Sequence, residues 1–268
     1  MAVRSEQAQA PSQREEAMAI RLDIDDVEVA AEPGESVLKV ARRNGFDIPA
    51  LCYHEAVPSI GACRVCLVEV RKGAETLLST SCNLPAEEGM QVVTDSPEIR
   101  RHRAMNLELM LSRAPGAPGL RKLAAEYGVV RPRFAPVAEG GIRNCILCEL
   151  CVRVCDMLGH HALAAVGHGD EKTISPPFGK PAESCVGCGS CLSVCPTRCV
   201  AMRDTATTRT IWGKTFDFRL CSECGAPLIT EAHREFAIAE KGLPEDYYDV
   251  CQACKQSVAS KTFASVVW

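Results

Sequence analysis

Alternating apolar and polar residues near the start of the chain predict a pair of β-strands. Every second residue in 18–24 is apolar, which is the period of a half-buried strand. Asp25 and Asp26 then predict a turn, and residues 27–29 return as a second strand. The pattern therefore predicts a hairpin that opens a small sheet.

The next stretch changes from a period of two residues to the period of a helix. Ser36 precedes an apolar face within residues 37–41, which makes it the expected N-cap, and Asn44 with Gly45 predicts the end of the helix. Further strands are predicted at three places in the sequence. They are residues 66–70 and 75–80, joined by a turn at 71–74, and residues 91–93.

Beyond residue 95 the pattern becomes helical. Ser96 is the predicted N-cap of a helix that begins at Pro97, and a proline- and glycine-rich loop at 114–119 separates it from a short helix at 120–128. Another helix is predicted at residues 231–241. Strands followed by separate helices predict an α+β fold.

Composition and charge narrow the classes of function. The 268 residues carry a formal net charge of −4 with 17 cysteines, and aromatic residues make up only 5%. An acidic chain without a basic stripe gives no support to nucleic-acid binding, and no apolar run reaches the ~18 residues of a membrane helix. The polar residues 1–17 predict a disordered tail without the apolar core of a signal peptide. So many thiols predict metal ligation in the cytoplasm.

Two cysteine groups repeat the spacing of bacterial double-cubane ferredoxins. They are Cys145-x2-Cys148-x2-Cys151-x3-Cys155 and Cys185-x2-Cys188-x2-Cys191-x3-Cys195-Pro196. In such proteins the last cysteine of each motif ligates the other cluster. The predicted ligands of one [4Fe-4S] cluster are Cys145, Cys148, Cys151 and Cys195, and those of the second are Cys155, Cys185, Cys188 and Cys191.

The two motifs differ in the residues between the ligands. Gly187 and Gly189 stand only in the second motif, where we expect them to let backbone N–H groups approach the cluster sulfurs. Pro196 follows the second motif where Asp156 follows the first, so the halves are not equivalent. Zinc does not fit these runs, because zinc modules supply two separated pairs of ligands.

A third cysteine group lies upstream and has the pattern of a [2Fe-2S] site with a lengthened first gap. Its ligands are Cys52-x10-Cys63-x2-Cys66-x15-Cys82. Cys52 and His54 also offer the C-x-H half of a Rieske site. The matching C-x2-H is absent because Cys63 pairs with Cys66, so His54 is interpreted as a loop residue rather than a ligand.

The fourth cysteine group consists of two C-x2-C pairs of the kind that hold one tetrahedral metal ion. They are Cys221-x2-Cys224-Gly225 and Cys251-x2-Cys254. Structural zinc is the first choice, a mononuclear rubredoxin-like iron is the second and a third [4Fe-4S] cluster is the last. The remaining cysteine, Cys199, is interpreted as a small buried apolar residue, with a redox-active thiol as the alternative.

Together these groups resemble a known family of electron-transfer modules. The long-gap [2Fe-2S] module, the run Cys151-Val152-Arg153-Val154-Cys155 and the run 176–181 are similar to the N-terminal region of the large iron–sulfur subunit of NADH dehydrogenase. They are also similar to the diaphorase small subunit of NAD-linked hydrogenases and to the N-terminal modules of iron-only hydrogenases and NAD-dependent formate dehydrogenases. The resemblance covers residues 18–205.

The motifs and the resemblance together give a domain order, with one departure from the relatives. The expected regions are a disordered tail at 1–17, a β-grasp [2Fe-2S] ferredoxin domain at 18–95, a helical linker at 96–139, a double [4Fe-4S] ferredoxin domain at 140–210 and a zinc-ribbon-like or rubredoxin-like domain at 215–260. Relatives hold a further cluster in the linker, ligated by a histidine and three cysteines. This linker has no cysteine, so that cluster is expected to be missing and His102 to be a solvated helix residue.

The function implied by the resemblance is electron transfer within a multi-subunit oxidoreductase. The expected partners are a flavoprotein subunit that oxidises NADH or NADPH and a terminal catalytic redox subunit, without nucleic acid and without membrane insertion. The sequence contains no dinucleotide fingerprint and no P-loop, so substrate chemistry is expected on the partners. The alternatives are a self-contained iron–sulfur redox enzyme and a metal-dependent redox-sensing or scaffold protein.

Overall fold

The structure is a computed structural model that describes residues 19–73, 75–136, 142–257 and 260. The predicted tail at 1–17, Met18 and Ala74 lie outside the described residues. The described chain divides into two units. The first comprises 19–53, 58–110 and 121–134, and the second comprises 54–57, 111–120 and the described residues from 135 onward.

A five-stranded mixed sheet forms the centre of the first unit. Its strands are β1 (Ile20–Ile24), β2 (Val27–Ala31), β3 (Leu67–Lys72), β4 (Glu75–Thr80) and β5 (Gln91–Val93), in the order β2-β1-β5-β3-β4. The central pair β1 and β5 is parallel and the other pairs are antiparallel. Asp25 and Asp26 have φ angles of 48° and 63°, as a two-residue hairpin turn requires. Both predicted hairpins are confirmed.

Helix α1 (Val37–Arg43) packs its apolar face against this sheet. The predicted N-cap is confirmed, because the Ser36 hydroxyl accepts a hydrogen bond from the Lys39 N–H at 3.4 Å. The chain leaves the helix through Asn44 and through Gly45 at a φ of 85°. The shared core contains buried residues from the helix and from the strands, among them Val37, Leu38, Val40, Leu22, Ile24, Val68 and Val92.

Two further helices follow, α2 (Pro97–Arg113) and α3 (Pro118–Glu126). Within the first unit α2 is fixed by Arg103, which is 2% exposed and donates hydrogen bonds to the carbonyls of Leu67 at 2.7 Å and Thr94 at 3.0 Å. The short helix begins two residues earlier than predicted, since proline suits the first helical position. His102 lies 2.8 Å from Glu98 one turn away, which agrees with a helix surface residue.

The second unit begins with the cysteine-bearing segments. Helix α4 (Leu150–Met157) and the single-turn helix α5 (Ser190–Ser193) each follow a cysteine loop, and strands β6 (Ala164–Val166) and β7 (Thr173–Ser175) pair between them. Short 3-10 turns occupy Gly169–Glu171 and Pro177–Gly179.

A four-stranded antiparallel sheet that the hydrophobic pattern did not predict follows these segments. Its strands are β8 (Met202–Asp204), β9 (Thr208–Ile211), β10 (Lys214–Leu220) and β11 (Pro227–Thr230), in the order β11-β10-β9-β8. Helix α6 (Glu231–Lys241) then begins at the Thr230 N-cap and ends at Gly242, which confirms the predicted helix. A last helical segment covers residues 252–257. None of the helices in the described ranges has the length and hydrophobicity needed to cross a bilayer.

Candidate metal centres

The four cysteines of the predicted [2Fe-2S] group lie buried in the first unit. Cys52 and Cys66 are fully buried, and Cys63 and Cys82 are 9% and 3% exposed. Thiol contacts join Cys63 with Cys52, Cys52 with Cys82 and Cys82 with Cys66, and the Cys52 sulfur accepts a hydrogen bond from the Cys63 N–H at 3.3 Å. Four neighbouring buried sulfurs suit a [2Fe-2S] cluster, which takes four thiolates.

His54 has a hydrogen-bond partner in its own loop. Its Nδ1 accepts from the Ala56 N–H at 3.2 Å, and the residue is exposed in a short turn that pairs with Val57. This agrees with a loop histidine rather than with a ligand.

The first predicted [4Fe-4S] group lines one pocket of the second unit. Its lining includes all four predicted ligands, Cys145, Cys148, Cys151 and Cys195. It also includes Cys199, whose sulfur lies 3.6 Å from that of Cys195 and forms a thiol contact with Cys145. The fifth cysteine is therefore half-buried beside the predicted ligands, where it packs against the apolar cluster of this unit.

The second predicted [4Fe-4S] group lines another pocket of the same unit. Cys155 from α4 joins Cys185, Cys188 and Cys191 there, together with Trp212 from the β9–β10 turn. Each pocket thus gathers three cysteines of one motif and the last cysteine of the other motif. That grouping favours the predicted cross-ligation, in which Cys155 and Cys195 are exchanged.

Backbone N–H groups point at the cysteine sulfurs in both motifs. The Leu147 N–H donates to Cys145 at 3.4 Å, and the Gly187 N–H donates to Cys185. The residues at these two equivalent positions have left-handed φ angles of 53° and 71°. The predicted approach of backbone N–H groups is present, yet glycine is not what allows it, because leucine takes the same conformation in the first motif.

The packing of the sheet explains why the second motif needs glycine. A Cβ at Gly187 would lie 2.7 Å from the Phe216 ring, and one at Gly189 would lie 3.3 Å from the Met202 sulfur. Both neighbours belong to the four-stranded sheet. The glycines therefore let strands β8 and β10 lie directly against the second cysteine loop.

Burial disfavours the thiolate form of several of these cysteines. Burial raises the pKa of Cys151, Cys155 and Cys185, and it raises the pKa of Cys191 to about 11. Such cysteines would stay protonated at neutral pH unless a metal ion held them as thiolates. The donor set, eight cysteines around two enclosed spaces with N–H donors to sulfur, fits iron–sulfur clusters.

Side chains of the four-stranded sheet also contact the second centre, and no sequence motif predicted them. The Trp212 indole N–H donates to the Cys191 sulfur at 3.3 Å. Arg209 donates to the Gly187 carbonyl at 3.0 Å, and the Lys214 ammonium donates to the Cys185 carbonyl at 2.8 Å. The available signal was an alternating pattern at 208–220 interrupted by the two-residue turn at 212–213.

The C-terminal cysteines form a compact tetrathiol group. The sulfurs of Cys221, Cys224, Cys251 and Cys254 all lie within 4.8 Å of one another, and those of Cys224 and Cys251 are 3.8 Å apart. Zinc–thiolate bonds of about 2.3 Å place neighbouring sulfurs of a tetrahedron about 3.8 Å apart. The group could therefore hold a single metal ion. The Cys251 N–H donates to Cys221 at 3.3 Å and lowers the pKa of that thiol to about 6.

Comparison with known families identifies two domains in the chain. Residues 17–97 match the family described as a 2Fe-2S iron–sulfur cluster binding domain, and residues 141–202 match the 4Fe-4S dicluster domain. The match confirms the predicted 2Fe-2S and 4Fe-4S modules of an α+β protein. The matched residues end before strand β9.

Curated relatives extend the similarity over most of the chain. The alpha subunit of an NADPH-Fe(3+) oxidoreductase from Geobacter sulfurreducens is 30% identical over 85% of this chain and 29% of that protein. The 78 kDa subunit of the mitochondrial NADH-ubiquinone oxidoreductase from Neurospora crassa is 29% identical over 72% of this chain and 29% of that protein. The chain thus spans less than a third of the length of these relatives.

A solved structure gives the same result. A chain of an NAD+-reducing [NiFe]-hydrogenase in the H2-reduced state superimposes with a TM-score of 0.59 at 28% identity, covering 67% of this chain and 86% of that chain. The resemblance that the cysteine motifs predict is therefore confirmed, and the chain is a homologue of the 78 kDa subunit of NADH-ubiquinone oxidoreductase and of a chain of NAD+-reducing [NiFe]-hydrogenase.

Proposed function

We propose that this chain is an electron-transfer subunit of a multi-subunit oxidoreductase, relaying single electrons between a flavoprotein that oxidises NADH or NADPH and a terminal catalytic redox subunit. The observation that carries the proposal is the pair of thiol-lined pockets in the second unit, which gather the cysteines as a double-cubane protein requires. The names of the relatives, an NADPH-Fe(3+) oxidoreductase and an NADH-ubiquinone oxidoreductase, support a nicotinamide-linked partner.

The proposed ligand assignment follows the sequence prediction. Cys52, Cys63, Cys66 and Cys82 would hold one [2Fe-2S] cluster, and the two pocket groups would hold one [4Fe-4S] cluster each. When bound, these clusters supply reversible one-electron chemistry. The chain itself contributes thiolates, buries them from water and directs N–H groups at the sulfurs. Each of these effects helps to set the reduction potential.

For the C-terminal group we propose a single metal ion in a zinc-ribbon-like or rubredoxin-like domain, with zinc first and mononuclear iron second. The short sulfur separations support one ion over a third cubane, because a cubane binds each thiolate to a different iron. Arg219 at the end of β10 pairs with Asp249 beside the second cysteine pair. This contact and the metal would hold the two cysteine pairs together.

The domain order remains as proposed from the sequence, with a tail at 1–17, domains at 18–95, 140–210 and 215–260, and a linker at 96–139 without its own cluster. The second sheet joins β9 and β10 across the proposed boundary at 210–215, so the last two domains would share this sheet. Because sixteen of the 17 cysteines are proposed metal ligands, and a reducing compartment keeps thiols free of disulfides, we propose the cytoplasm as the location.

The proposal is tested by purifying the chain without oxygen from its native source. We expect about ten irons and one zinc per chain, paramagnetic signals after reduction with dithionite, and co-purification of a flavin-containing subunit that reduces the clusters with NADH or NADPH. Turnover of a substrate by the purified chain alone would support a self-contained enzyme instead. Reducible clusters that exchange electrons with no bound subunit would support a sensor or scaffold.

A further inference from the structure

The hairpin formed by β9 and β10 packs side chains against the second cysteine loop. These residues lie beyond the 4Fe-4S family match, which ends at residue 202. Two cations of the hairpin hold backbone carbonyls of that loop. Arg209 binds the carbonyls of Gly187 and Cys188 at 3.0 and 3.4 Å, and Lys214 binds three carbonyls between Ala182 and Cys185 at 2.8 to 3.2 Å. Hydrogen bonds to its backbone carbonyls therefore fix the loop to the hairpin, in addition to any contact with its sulfurs.

Trp212 is the hairpin residue that reaches a sulfur directly. It occupies the first position of the two-residue turn between Ile211 and Lys214, with a φ of 52°, and Gly213 follows at 75°. Such turns favour asparagine or aspartate at this position, and a left-handed bulky residue is strained. Strain of this kind persists when surrounding contacts compensate for it. Here the compensating contacts include the indole N–H, 3.3 Å from the Cys191 sulfur, and the packing of the ring against the apolar cluster of this unit.

The two cysteine loops have similar polar contacts, apart from the hydrogen bond that Trp212 donates to a cysteine sulfur. Arg153 donates to the Cys148 carbonyl at 3.0 Å in the first loop, as Arg209 does to Cys188 in the second. In the first group, the Thr197 hydroxyl lies 3.6 Å from the Cys195 sulfur. A hydroxyl can rotate and also accepts hydrogen bonds, whereas the indole nitrogen can only donate.

We propose that Trp212 is a positioning residue that raises the reduction potential of the second [4Fe-4S] cluster by a hydrogen bond to Cys191, on the assumption of the cluster assignment proposed above. Reduction adds one electron from the flavoprotein partner and no atom, so the thiolates become more electron-rich. An N–H donor stabilises that added charge more than the oxidised form. Trp212 keeps its hydrogen throughout.

The test is a redox titration of the anaerobic holoprotein followed by electron paramagnetic resonance. In Trp212→Phe, the potential of one [4Fe-4S] cluster should fall, while those of the other [4Fe-4S] and the [2Fe-2S] cluster stay the same. The matched control is Thr215→Val, which removes the hydroxyl pair of Thr210 and Thr215 at 2.9 Å in the same hairpin. It should leave all three potentials unchanged.

A second variant separates the hydrogen bond from packing. Replacing tryptophan biosynthetically by benzothienylalanine, in a Trp268→Phe background, exchanges the N–H for sulfur at nearly constant shape. The same single potential should fall. Unchanged potentials in both proteins, or a parallel shift of all three clusters, would overturn the role of Trp212. Metal analysis on the same samples distinguishes that result from failure of the cluster assignment, which would appear as too little iron in the unmodified protein.

Discussion

The two cysteine loops of the second unit share a left-handed backbone at two equivalent positions but carry different side chains there. Residues 147 and 187, and residues 149 and 189, have left-handed φ angles between 53° and 80°. The first loop uses Leu147 and Glu149 there, whereas the second uses glycines. A left-handed residue other than glycine costs roughly 1–2 kcal/mol, so the first loop tolerates strain that the second avoids.

The difference shows that the neighbouring side chains, and not the cysteine ligands, determine whether glycine is needed at these positions. Phe216 approaches the second loop too closely for a Cβ at Gly187, and Met202 leaves little room for one at Gly189. Glu149 in the first loop instead extends its side chain to Lys172 at 3.0 Å. The second loop thus packs against a sheet that continues to the C-terminal metal group. The first loop has room for side chains at the equivalent positions and does not need glycine there.

The largest expected effect concerns the exchange of cysteines between the loops. Cys151 and Cys195 line one pocket, whereas Cys155 lines the other. The pair Cys151→Ser with Cys195→Ser should lose about four irons per chain, and the pair Cys151→Ser with Cys155→Ser about eight. Iron and acid-labile sulfide analysis measures both. Equal losses in the two double variants would contradict the exchange.

Removal of the C-terminal metal should affect the second loop more than the first. Strand β10 ends next to Cys221, and Thr230 of β11 donates to the Val186 carbonyl of the second loop. Cys224→Ser should lose the single metal ion and retain about ten irons, and the bleaching temperature of only one [4Fe-4S] cluster should fall.

The control for that experiment is Ser222→Ala, which changes an exposed side chain within the same knuckle. Zinc analysis and absorbance during heating measure both variants. An unmodified protein with about fourteen irons and no zinc, from which Cys224→Ser removes about four irons, would instead identify the C-terminal group as a third cubane.

Substitution of the loop glycine should destabilise the second loop specifically. Gly187→Ala combines left-handed strain with a clash against Phe216, so we expect a cost of about 2–4 kcal/mol. Gly242→Ala is matched, since its φ is 60° and no atom lies within 4 Å of the added Cβ. It should cost only about 1 kcal/mol. Thermal melting of the holoproteins measures the loss of stability in the two variants. An equal loss would show that the sheet does not restrict the size of the residue at this position of the loop.

The smallest effect is expected at the fifth cysteine of the first pocket. Cys199→Ser keeps a small polar atom beside Cys195 and Cys145, so the iron content should stay at about ten per chain. A loss of about four irons would show that Cys199 is a ligand in place of Cys195. The measurement is again iron per chain, with the unmodified protein as reference.

Local patterns allowed much of the first unit to be predicted. The alternation in β1, the Ser36 cap and the turn at Asp25 and Asp26 depend on residues adjacent in sequence, and each is present in the structure. The cysteine spacings likewise predicted which thiols meet in each pocket. These features need no knowledge of distant contacts.

The second sheet gave a weaker signal in the sequence. Three of its four strands have only three or four residues, and a metal-ligand motif begins directly after the longer strand β10. The contact between Trp212 and Cys191 joins residues 21 positions apart, and the reason for Gly187 lies in Phe216. Such dependences appear only when the chain is folded.

The exchange of Cys155 and Cys195 between the pockets also affects whether the two halves of the domain can dissociate after proteolysis. Each inorganic core would fasten both halves of the domain, so the chain between residues 155 and 185 would be closed at both ends by metal–sulfur bonds. If a protease cleaved the exposed turn near His168, the two fragments would then remain bound to each other. They would separate only when iron is chelated or oxidised away.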